Sequence, residues 1–197
     1  MLWLIVFAII ILAILLRPVY HEPRVIRNFI PHEVCDYIRE TASDKLAPST
    51  ISHDKVVDER VRKSETAWLG TDDPVVEQVM KKCTSLTDRP LRNCEKLQVL
   101  RYTPGGFYNP HQDCFKDDKN KRLYTCIIGL TDDYEGGETE FPNLKKRYRL
   151  NKGDLLLFDT LNDWGKITPK ALHGGMPVTS GEKWICNLWI RTYPYDA

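Results

Sequence analysis

The segment from Lys183 to Ile190 constrains the fold of this chain more than any other. Its residues, KWICNLWI, are mostly apolar, aromatic or β-branched, and such a run is typical of a β-strand. Because successive side chains of a strand point to opposite faces, one face is expected to be apolar and the other mixed. These faces are Trp184, Cys186, Leu188 and Ile190, and Lys183, Ile185, Asn187 and Trp189. The mixed face predicts a pocket for an anion and an apolar ring; a solvated lysine at a sheet edge is the alternative.

Two histidines and an aspartate stand next to other strand-like runs. Residues 97–102, LQVLRY, predict a strand that ends at the break TPGG, and an Asn-Pro pair holds the chain extended before His111 and Asp113. His173 precedes two glycines and a Thr-Ser-Gly-Glu turn. The three side chains are therefore expected on loops that leave strands, where a rigid sheet can aim them. An ordinary surface pair is the alternative for His-x-Asp alone.

His-x-Asp followed by a distant His is the sequence form of an iron site with two histidines and one carboxylate. Octahedral Fe(II) accepts these ligands, and three of them on one face leave three positions open for an oxidant and a bidentate co-substrate. Lys183, ten residues after His173, would neutralise a distal carboxylate of that co-substrate. The four residues His111, Asp113, His173 and Lys183 together predict an oxygenase.

Two amphipathic segments predict helices beside the sheet. Residues 31–43, PHEVCDYIRETAS, begin with a proline and place Val34, Tyr37, Ile38 and Thr41 on one face. Residues 74–86, PVVEQVMKKCTSL, follow two aspartates that can cap a helix, and they carry a broad apolar stripe. Both stripes are expected to pack on the sheet.

Length, charge and cysteine content narrow the function classes. A chain of 197 residues is long enough for one soluble domain with a substantial core. The net charge of +1 gives no case for binding to nucleic acid. None of the six cysteines forms a Cys-x-x-Cys pair. Cys83 and Cys94 would pair in an oxidising compartment, and buried free thiols are the alternative.

The first sixteen residues, MLWLIVFAIIILAILL, form an uncharged apolar run. As a helix they span about 24 Å, and extension through residue 20 gives a membrane anchor of plausible length. A cleaved signal peptide is the rival, but no basic region precedes the run and no small-x-small site precedes Arg17. Arg17, Arg24 and Arg27 follow the run, and this arrangement favours a cytosolic catalytic body. We predict a single-pass membrane anchor over residues 1–20.

Six ordered blocks of the sequence resemble the prolyl 4-hydroxylases, a family of iron(II)- and 2-oxoglutarate-dependent dioxygenases. The blocks are 93–102 (NCEKLQVLRY), 102–113 (YTPGGFYNPHQD), 122–125 (RLYT) with 136–142 (GGETEFP), 152–158 (KGDLLLF), 172–178 (LHGGMPV) and 181–184 (GEKW). Six blocks in order are more specific than any one of them. The sequence departs from the family at Cys114, where an aromatic residue is common, and at Met176, where a small residue or cysteine is common. These departures concern the choice of substrate.

The resemblance implies a role for each matching residue. His111, Asp113 and His173 would bind Fe(II). Lys183, with the hydroxyls of Tyr102 and Thr125, would bind the distal carboxylate of 2-oxoglutarate, and Tyr108 and Trp189 would line the peptide groove. L-ascorbate would keep the iron reduced. A lysine rather than an arginine at position 183 favours the prolyl hydroxylase branch of these dioxygenases.

The fold that the resemblance implies is mainly β with flanking helices (α+β). Its core is a double-stranded β-helix, or jelly-roll, preceded by a transmembrane helix. We divide the chain into an anchor over 1–20, a supporting region with two helices over 21–92, and the dioxygenase core over 93–195. The expected location is the membrane of the endoplasmic reticulum or of another secretory-pathway compartment. The side of the membrane that carries the catalytic body stays open, since the arginine pattern favours the cytosol.

The implied activity resembles that of procollagen-proline 4-dioxygenase: a proline-containing peptide is converted to its 4-hydroxyproline form with O₂ and 2-oxoglutarate. One rival is the same chemistry on another side chain, such as lysine. A rival of a different class is a catalytically silent jelly-roll that binds proline-rich chains at a membrane. The complete set of His111, Asp113, His173 and Lys183 argues against the silent module, because binding alone needs none of them.

Overall fold

The structure is a computed structural model that describes residues 3, 7, 17–51 and 56–195. Within 17–51 and 56–195 the α-helices are α1 (His32–Ser43) and α2 (Pro74–Thr84). The strands are β1 (Arg24–Ile26), β2 (Ala47–Pro48), β3 (Arg62–Lys63), β4 (Glu65–Leu69), β5 (Leu97–Tyr102), β6 (Phe107–His111), β7 (Arg122–Gly129), β8 (Glu135–Gly136), β9 (Thr139–Phe141), β10 (Lys146–Tyr148), β11 (Leu155–Asp159), β12 (His173–Gly175), β13 (Val178–Ser180) and β14 (Lys183–Arg191).

The main sheet has the strand order β1-β11-β7-β14-β5-β4-β2. The strand predicted from residue 183 onward is β14, which lies between β7 and β5, and the strand predicted over 97–102 is β5. The predicted alternation in β14 is confirmed, because its apolar face is part of the core and its mixed face lines a cavity. Strands β2 and β4 pair in series onto β5, so residues of the 21–92 region extend the main sheet. The division of the chain at residues 20 and 92 stays a prediction.

The second helix, α2, is held at its N-terminus by Asp73. The Asp73 carboxylate accepts hydrogen bonds from the amides of Val75 (2.8 Å) and Val76 (3.1 Å), as expected of an N-cap residue. The helix buries Val76, Val79, Met80 and Cys83. This confirms that its apolar stripe is a packing face in the core shared with the main sheet.

The first helix, α1, departs from the prediction at Tyr37. It buries Cys35, Ile38 and Ala42, so Ile38 of the expected face is buried and Val34 packs against the core, whereas Tyr37 is 40% exposed. The Tyr37 hydroxyl donates a hydrogen bond of 2.9 Å to Asp73 at the surface. Because a tyrosine can keep its hydroxyl in contact with solvent, the Tyr37 ring was a poor indicator of the buried face.

A second, smaller sheet faces the first. Its order is β10-β9-β12-β6-β3, and β8 pairs separately with β13. A second apolar cluster joins residues of the two sheets, among them Leu100, Ile127 and Ile185 with Phe141. The strand pairs are antiparallel throughout the described part of the chain. This is the expected mainly-β architecture with flanking helices, and it is consistent with a jelly-roll.

The cysteines lie in the interior of the protein. All six cysteines are buried and free, so Cys83 and Cys94 do not form a disulfide. Burial raises the pKa of Cys94 to about 12.

No helix formed by the described residues is long and apolar enough to cross a membrane. Up to residue 16 the predicted anchor lies outside the described residues, apart from Trp3 and Phe7.

Candidate active site

The two histidines expected to bind metal lie on neighbouring strands. β6 ends at His111, β12 begins at His173, and the two residues stand directly opposite each other in an antiparallel pair. Their ring centroids are 4.5 Å apart. The expectation that both histidines lie on loops is therefore wrong. Direct cross-strand pairing fixes their separation through the sheet itself.

Asp113 completes the cluster from a bend two residues after His111. Its Oδ1 lies 3.6 Å from Nε2 of His111, and its Oδ2 lies 3.6 Å from Nε2 of His173. One possible ligand atom from each of the three residues lies within 4.8 Å of the others. Two imidazoles and one carboxylate converging in this way fit Fe(II), since this donor set leaves coordination positions open.

Each histidine ring is oriented by a backbone carbonyl. Nδ1 of His111 lies 3.0 Å from the carbonyl oxygen of Asn109, and Nδ1 of His173 lies 3.1 Å from that of Ala171. A carbonyl oxygen only accepts hydrogen bonds, so Nδ1 carries the proton and Nε2 offers its lone pair to the cluster. Tyr108 stacks on the His111 ring at a centroid distance of 3.7 Å. These contacts orient both rings so that each Nε2 faces the cluster.

The protonation states also suit a metal. Burial lowers the pKa of His173 to about 4, against the opposing effect of the Asp113 carboxylate. Burial alone would raise the pKa of the Asp113 carboxyl, but the neighbouring His173, His111 and Arg122 hold it well below its usual range. A neutral imidazole and an ionised carboxylate are the forms that coordinate a metal ion.

Lys183 is a buried cation in the same region. It is 4% exposed, and its Nζ lies 5.2 Å from the centre of the ring of Tyr102, its partner across the strand pair. No carboxylate among the described residues forms an ion pair with this ammonium. Burial lowers the pKa of Lys183 to about 8, although the charge of Glu138 acts in the opposite direction. A buried ammonium without a protein partner calls for a bound anion, and the solvated-edge interpretation is excluded.

One cavity of about 190 Å³ connects the cluster of His111, Asp113 and His173 with this lysine. The predicted site residues that line it are Tyr102, Tyr108, His111, Asp113, His173, Lys183 and Trp189. Thr125 is the exception, since its hydroxyl donates a 2.7 Å hydrogen bond to Oδ2 of Asp113. The structure thus places Thr125 where it orients the carboxylate, and its contact with 2-oxoglutarate stays a prediction.

Trp189 lines the same cavity as the two histidines. The residue is 6% exposed, and its Nε1 is buried without a hydrogen-bond partner among the described residues. The guanidinium of Arg122 stacks 3.7 Å above its ring. The indole N–H is therefore held in place and is available to an acceptor that enters the cavity.

Arg122 and Glu95 are site residues that the sequence did not reveal. Glu95 accepts two hydrogen bonds from Arg122 (2.5 and 2.8 Å) and a third from Arg191 (2.8 Å). Arg122 also donates a 3.4 Å hydrogen bond to the backbone carbonyl of Asp113. A charged residue at the start of a strand is usually solvated, so no local signal marks Arg122 as part of a buried network.

Comparison with known proteins agrees with this geometry. Residues 97–191 match the family described as the 2OG-Fe(II) oxygenase superfamily. A candidate prolyl 4-hydroxylase of Acanthamoeba polyphaga mimivirus is 36% identical over 183 residues, which cover 87% of this chain and 75% of that protein. Prolyl 4-hydroxylase 1 of Arabidopsis thaliana is 35% identical over 196 residues, which cover 86% of this chain and 69% of that protein.

Solved structures of prolyl hydroxylases are similar to this chain. The viral collagen prolyl hydroxylase of Paramecium Bursaria Chlorella virus-1, in its 2OG complex, superposes with a TM-score of 0.72 at 31% identity. The superposition covers 88% of this chain and 97% of that one. A prolyl-4-hydroxylase of Pseudomonas putida shares the fold with a TM-score of 0.63 at 16% identity.

Proposed function

The chain belongs to the prolyl 4-hydroxylase family of the 2OG-Fe(II) oxygenases, and we propose on this premise that it converts peptidyl proline to 4-hydroxyproline. It is a dioxygenase that uses Fe(II), 2-oxoglutarate and O₂. The observation that carries the proposal is the convergence of His111, Asp113 and His173 on the same cavity as the buried Lys183. A module that only binds proline-rich chains needs neither a set of metal ligands nor a buried cation.

Hydrogen bonds within the protein hold the three ligand residues in orientations that suit a metal ion. Fe(II), when bound to His111, Asp113 and His173, supplies the chemistry that couples oxidative decarboxylation of 2-oxoglutarate to hydroxylation of a C–H bond. The carbonyls that accept from the two Nδ1–H groups keep both Nε2 atoms directed at the site. Thr125 and the Arg122 guanidinium hold the Asp113 side chain and backbone.

The co-substrate site is the lysine end of the cavity. The Lys183 ammonium would pair with the distal carboxylate of 2-oxoglutarate, helped by the hydroxyl of Tyr102, the cross-strand partner of Lys183. Because this ammonium is desolvated without a carboxylate partner, binding of the dianion relieves an existing penalty. The lysine therefore favours an anionic co-substrate over a neutral one of similar shape.

The peptide would enter over Tyr108 and Trp189. Both side chains line the cavity, and the unpartnered indole N–H of Trp189 can donate to a peptide carbonyl. Tyr108 is fixed between the His111 ring and the Arg62 guanidinium, which lies 4.6 Å from its ring centre. Rigid aromatic walls suit a proline ring, which has little conformational entropy to lose.

A peptide panel tests the proposed reaction. The full chain in mild detergent is loaded with Fe(II), 2-oxoglutarate and ascorbate, and peptides with either proline or lysine at one central position are supplied. We expect succinate formation and a mass increase of one oxygen on proline. Oxygen on lysine would support the rival substrate, and tight peptide binding without succinate would support the silent module.

Two further features belong to the proposal. We propose that residues 1–16 anchor the protein in a secretory-pathway membrane and that ascorbate keeps the iron reduced. Residues 17–20, which the prediction included in the anchor, are not helical, and Tyr20 is buried in the catalytic body. The anchor is supported by the apolar run and by Trp3 and Phe7, whose side chains are 85% and 63% exposed. Full-length protein should therefore resist alkaline carbonate extraction. Recovery of a mature chain without residues 1–16 would show a cleaved signal peptide instead.

A further inference from the structure

The end of the apolar N-terminal run is tied to a loop of the catalytic body. The amide of Val19 donates to Oδ1 of Asp163 (2.9 Å), and the amide of Asp163 donates to the carbonyl of Val19 (3.0 Å). The next residue, Tyr20, is buried. Leu16, the last residue of the run, is three residues before Val19, so an extended chain places it no more than about 11 Å away.

That loop presents a tryptophan to solvent. Asn162 organises the turn, since its Oδ1 accepts from the amides of Trp164 (3.1 Å) and Lys166 (3.0 Å) and its own amide donates to the Lys166 carbonyl (2.9 Å). Gly165 has a φ of +66°, and a side chain there would meet nothing within 4 Å. Trp164 is 53% exposed at this ordered tip, and Val19 beside it is also 53% exposed.

Three cations surround these two apolar side chains. Lys166 lies 5.8 Å from the centre of the Trp164 ring, Lys121 donates to the Gly165 carbonyl at 3.5 Å, and Arg17 is exposed two residues before Val19. Within the described ranges no carboxylate forms an ion pair with any of the three. The Asp163 carboxylate, next to Trp164, accepts from the Val19 amide and keeps its negative charge, so these four charged residues together carry a net charge of +2. The surface therefore combines an exposed indole with net positive charge.

We propose that Arg17, Val19, Lys121, Trp164 and Lys166, here called the N-terminal patch, dock onto the surface of an anionic membrane. The inference rests on the membrane anchor proposed above. Tryptophan and basic residues together are typical of side chains at a membrane–water interface. The headgroup layer on each side of a bilayer is about 5–8 Å thick. Val19, within about 11 Å of the end of the apolar run, must therefore lie at or just outside that layer, and the Asp163 loop is hydrogen-bonded to it.

Docking would fix the orientation of the catalytic body. The anchor alone would constrain the body at one point, whereas docking of the loop would add a second contact that restricts rotation of the body on the membrane. The loop leads directly to Thr168, whose carbonyl accepts a 3.0 Å hydrogen bond from Gln112, the residue between the ligands His111 and Asp113. The cavity is thus held at a set direction relative to the membrane surface.

Site-directed labelling of the full chain tests this inference. Trp164→Cys and, as a matched control, Glu33→Cys each receive one spin label, since the six native thiols are buried. Glu33 lies next to His32, at the Gly153 end of β11, about 16 Å or more along that strand from the patch. Labelled proteins are reconstituted in vesicles of phosphatidylcholine with or without phosphatidylserine. Accessibility to a water-soluble and to a lipid-soluble relaxation reagent is then measured.

We expect the label at position 164 to lose access to the aqueous reagent and gain access to the lipid reagent in anionic vesicles. The label at position 33 should stay aqueous. Lys166→Glu should reverse the effect, with the docked-to-undocked ratio falling on the order of thirty-fold, because two units of charge change at the surface. Equal aqueous exposure at both positions in floated, membrane-bound protein would overturn the inference.

Two controls separate this inference from the proposed function. Flotation of the vesicles reports the anchor independently of the label, and succinate formation reports the enzyme independently of the membrane. Trp164→Ser should leave turnover of a soluble peptide without vesicles unchanged. A raised KM for the peptide in that assay would show instead that the patch contacts substrate, and would overturn membrane docking as its role.

Discussion

Replacing Lys183 by methionine should separate the stability of the protein from its affinity for 2-oxoglutarate. The lysine stem packs closely against Gly137, where an added Cβ would lie 3.1 Å from the Lys183 Cδ. Methionine has a similar unbranched shape, so it keeps this contact while it removes the charge. The variant therefore tests the buried ammonium rather than the packing around it.

The magnitude follows from the pKa of the lysine. Burial lowers this pKa from 10.5 to about 8. At 1.36 kcal/mol per pH unit, the folded apoprotein carries a penalty of about 3 kcal/mol at neutral pH for keeping Lys183 charged. Lys183→Met removes it, so the free energy of unfolding of the apoprotein should rise by up to about 3 kcal/mol.

The free energy of unfolding should rise with pH because of Lys183. Between about pH 8 and pH 10.5 the unfolded chain binds a proton at Lys183 that the folded protein does not bind. The stability of the wild type therefore gains a contribution from this residue as pH rises through that window. The contribution should be absent from the methionine variant.

Binding of 2-oxoglutarate should change in the opposite direction. Leaving the distal carboxylate without its cation costs about 3–5 kcal/mol, which raises the apparent KM on the order of a hundred- to a thousand-fold or more. Lys183→Arg should rescue poorly, since its planar fork is larger than the ammonium. Iron binding should persist in both variants because Lys183 is not a ligand.

Two assays check this pair of effects. Urea unfolding of the iron-free proteins gives the stability change, and succinate formation against 2-oxoglutarate concentration gives the KM. A variant that is less stable than the wild type and has an unchanged KM would refute the argument, because it would show that the lysine is neither desolvated nor opposite a bound carboxylate.

The remaining predictions concern the metal ligands, the pH profile and a helix cap. Alanine at His111, Asp113 or His173 should remove bound iron and turnover in a protein that still unfolds cooperatively; a variant with normal iron content, measured by metal analysis, identifies a residue that is not a ligand. The KM for 2-oxoglutarate should rise about tenfold per pH unit above about pH 8, as Lys183 loses its proton, and a flat profile to pH 9.5 contradicts this. Asp73→Ala should cost about 1 kcal/mol in urea unfolding with turnover unchanged; no loss of stability would argue against the cap.

The sequence predicted the strands and one face of the site well, and for a clear reason. Period-2 patterning in β14 separates Lys183 and Trp189 from the core because the two environments differ sharply in polarity. The sequence could not show that His111 and His173 are cross-strand partners. Register between strands about sixty residues apart depends on the packing of the whole sheet.

Other parts of the site depend on tertiary contacts that have no local signal. Thr125 orients the Asp113 carboxylate, and Glu95 fixes Arg122 over the Trp189 ring. Each of these residues is unremarkable in its own segment. On α1 the prediction was wrong for Tyr37, since this residue is amphipathic and its hydroxyl reaches Asp73 at the surface.

The fate of molecular oxygen shows whether this protein hydroxylates peptidyl proline. The full chain, loaded with Fe(II) and 2-oxoglutarate, is given a proline-containing peptide under ¹⁸O₂, and both the peptide and succinate are analysed by mass spectrometry. We expect one ¹⁸O atom in 4-hydroxyproline and one in succinate, in equal amounts, and we expect both to be lost in His173→Ala. Succinate without a modified proline, or hydroxyproline that carries oxygen from water only, would contradict it.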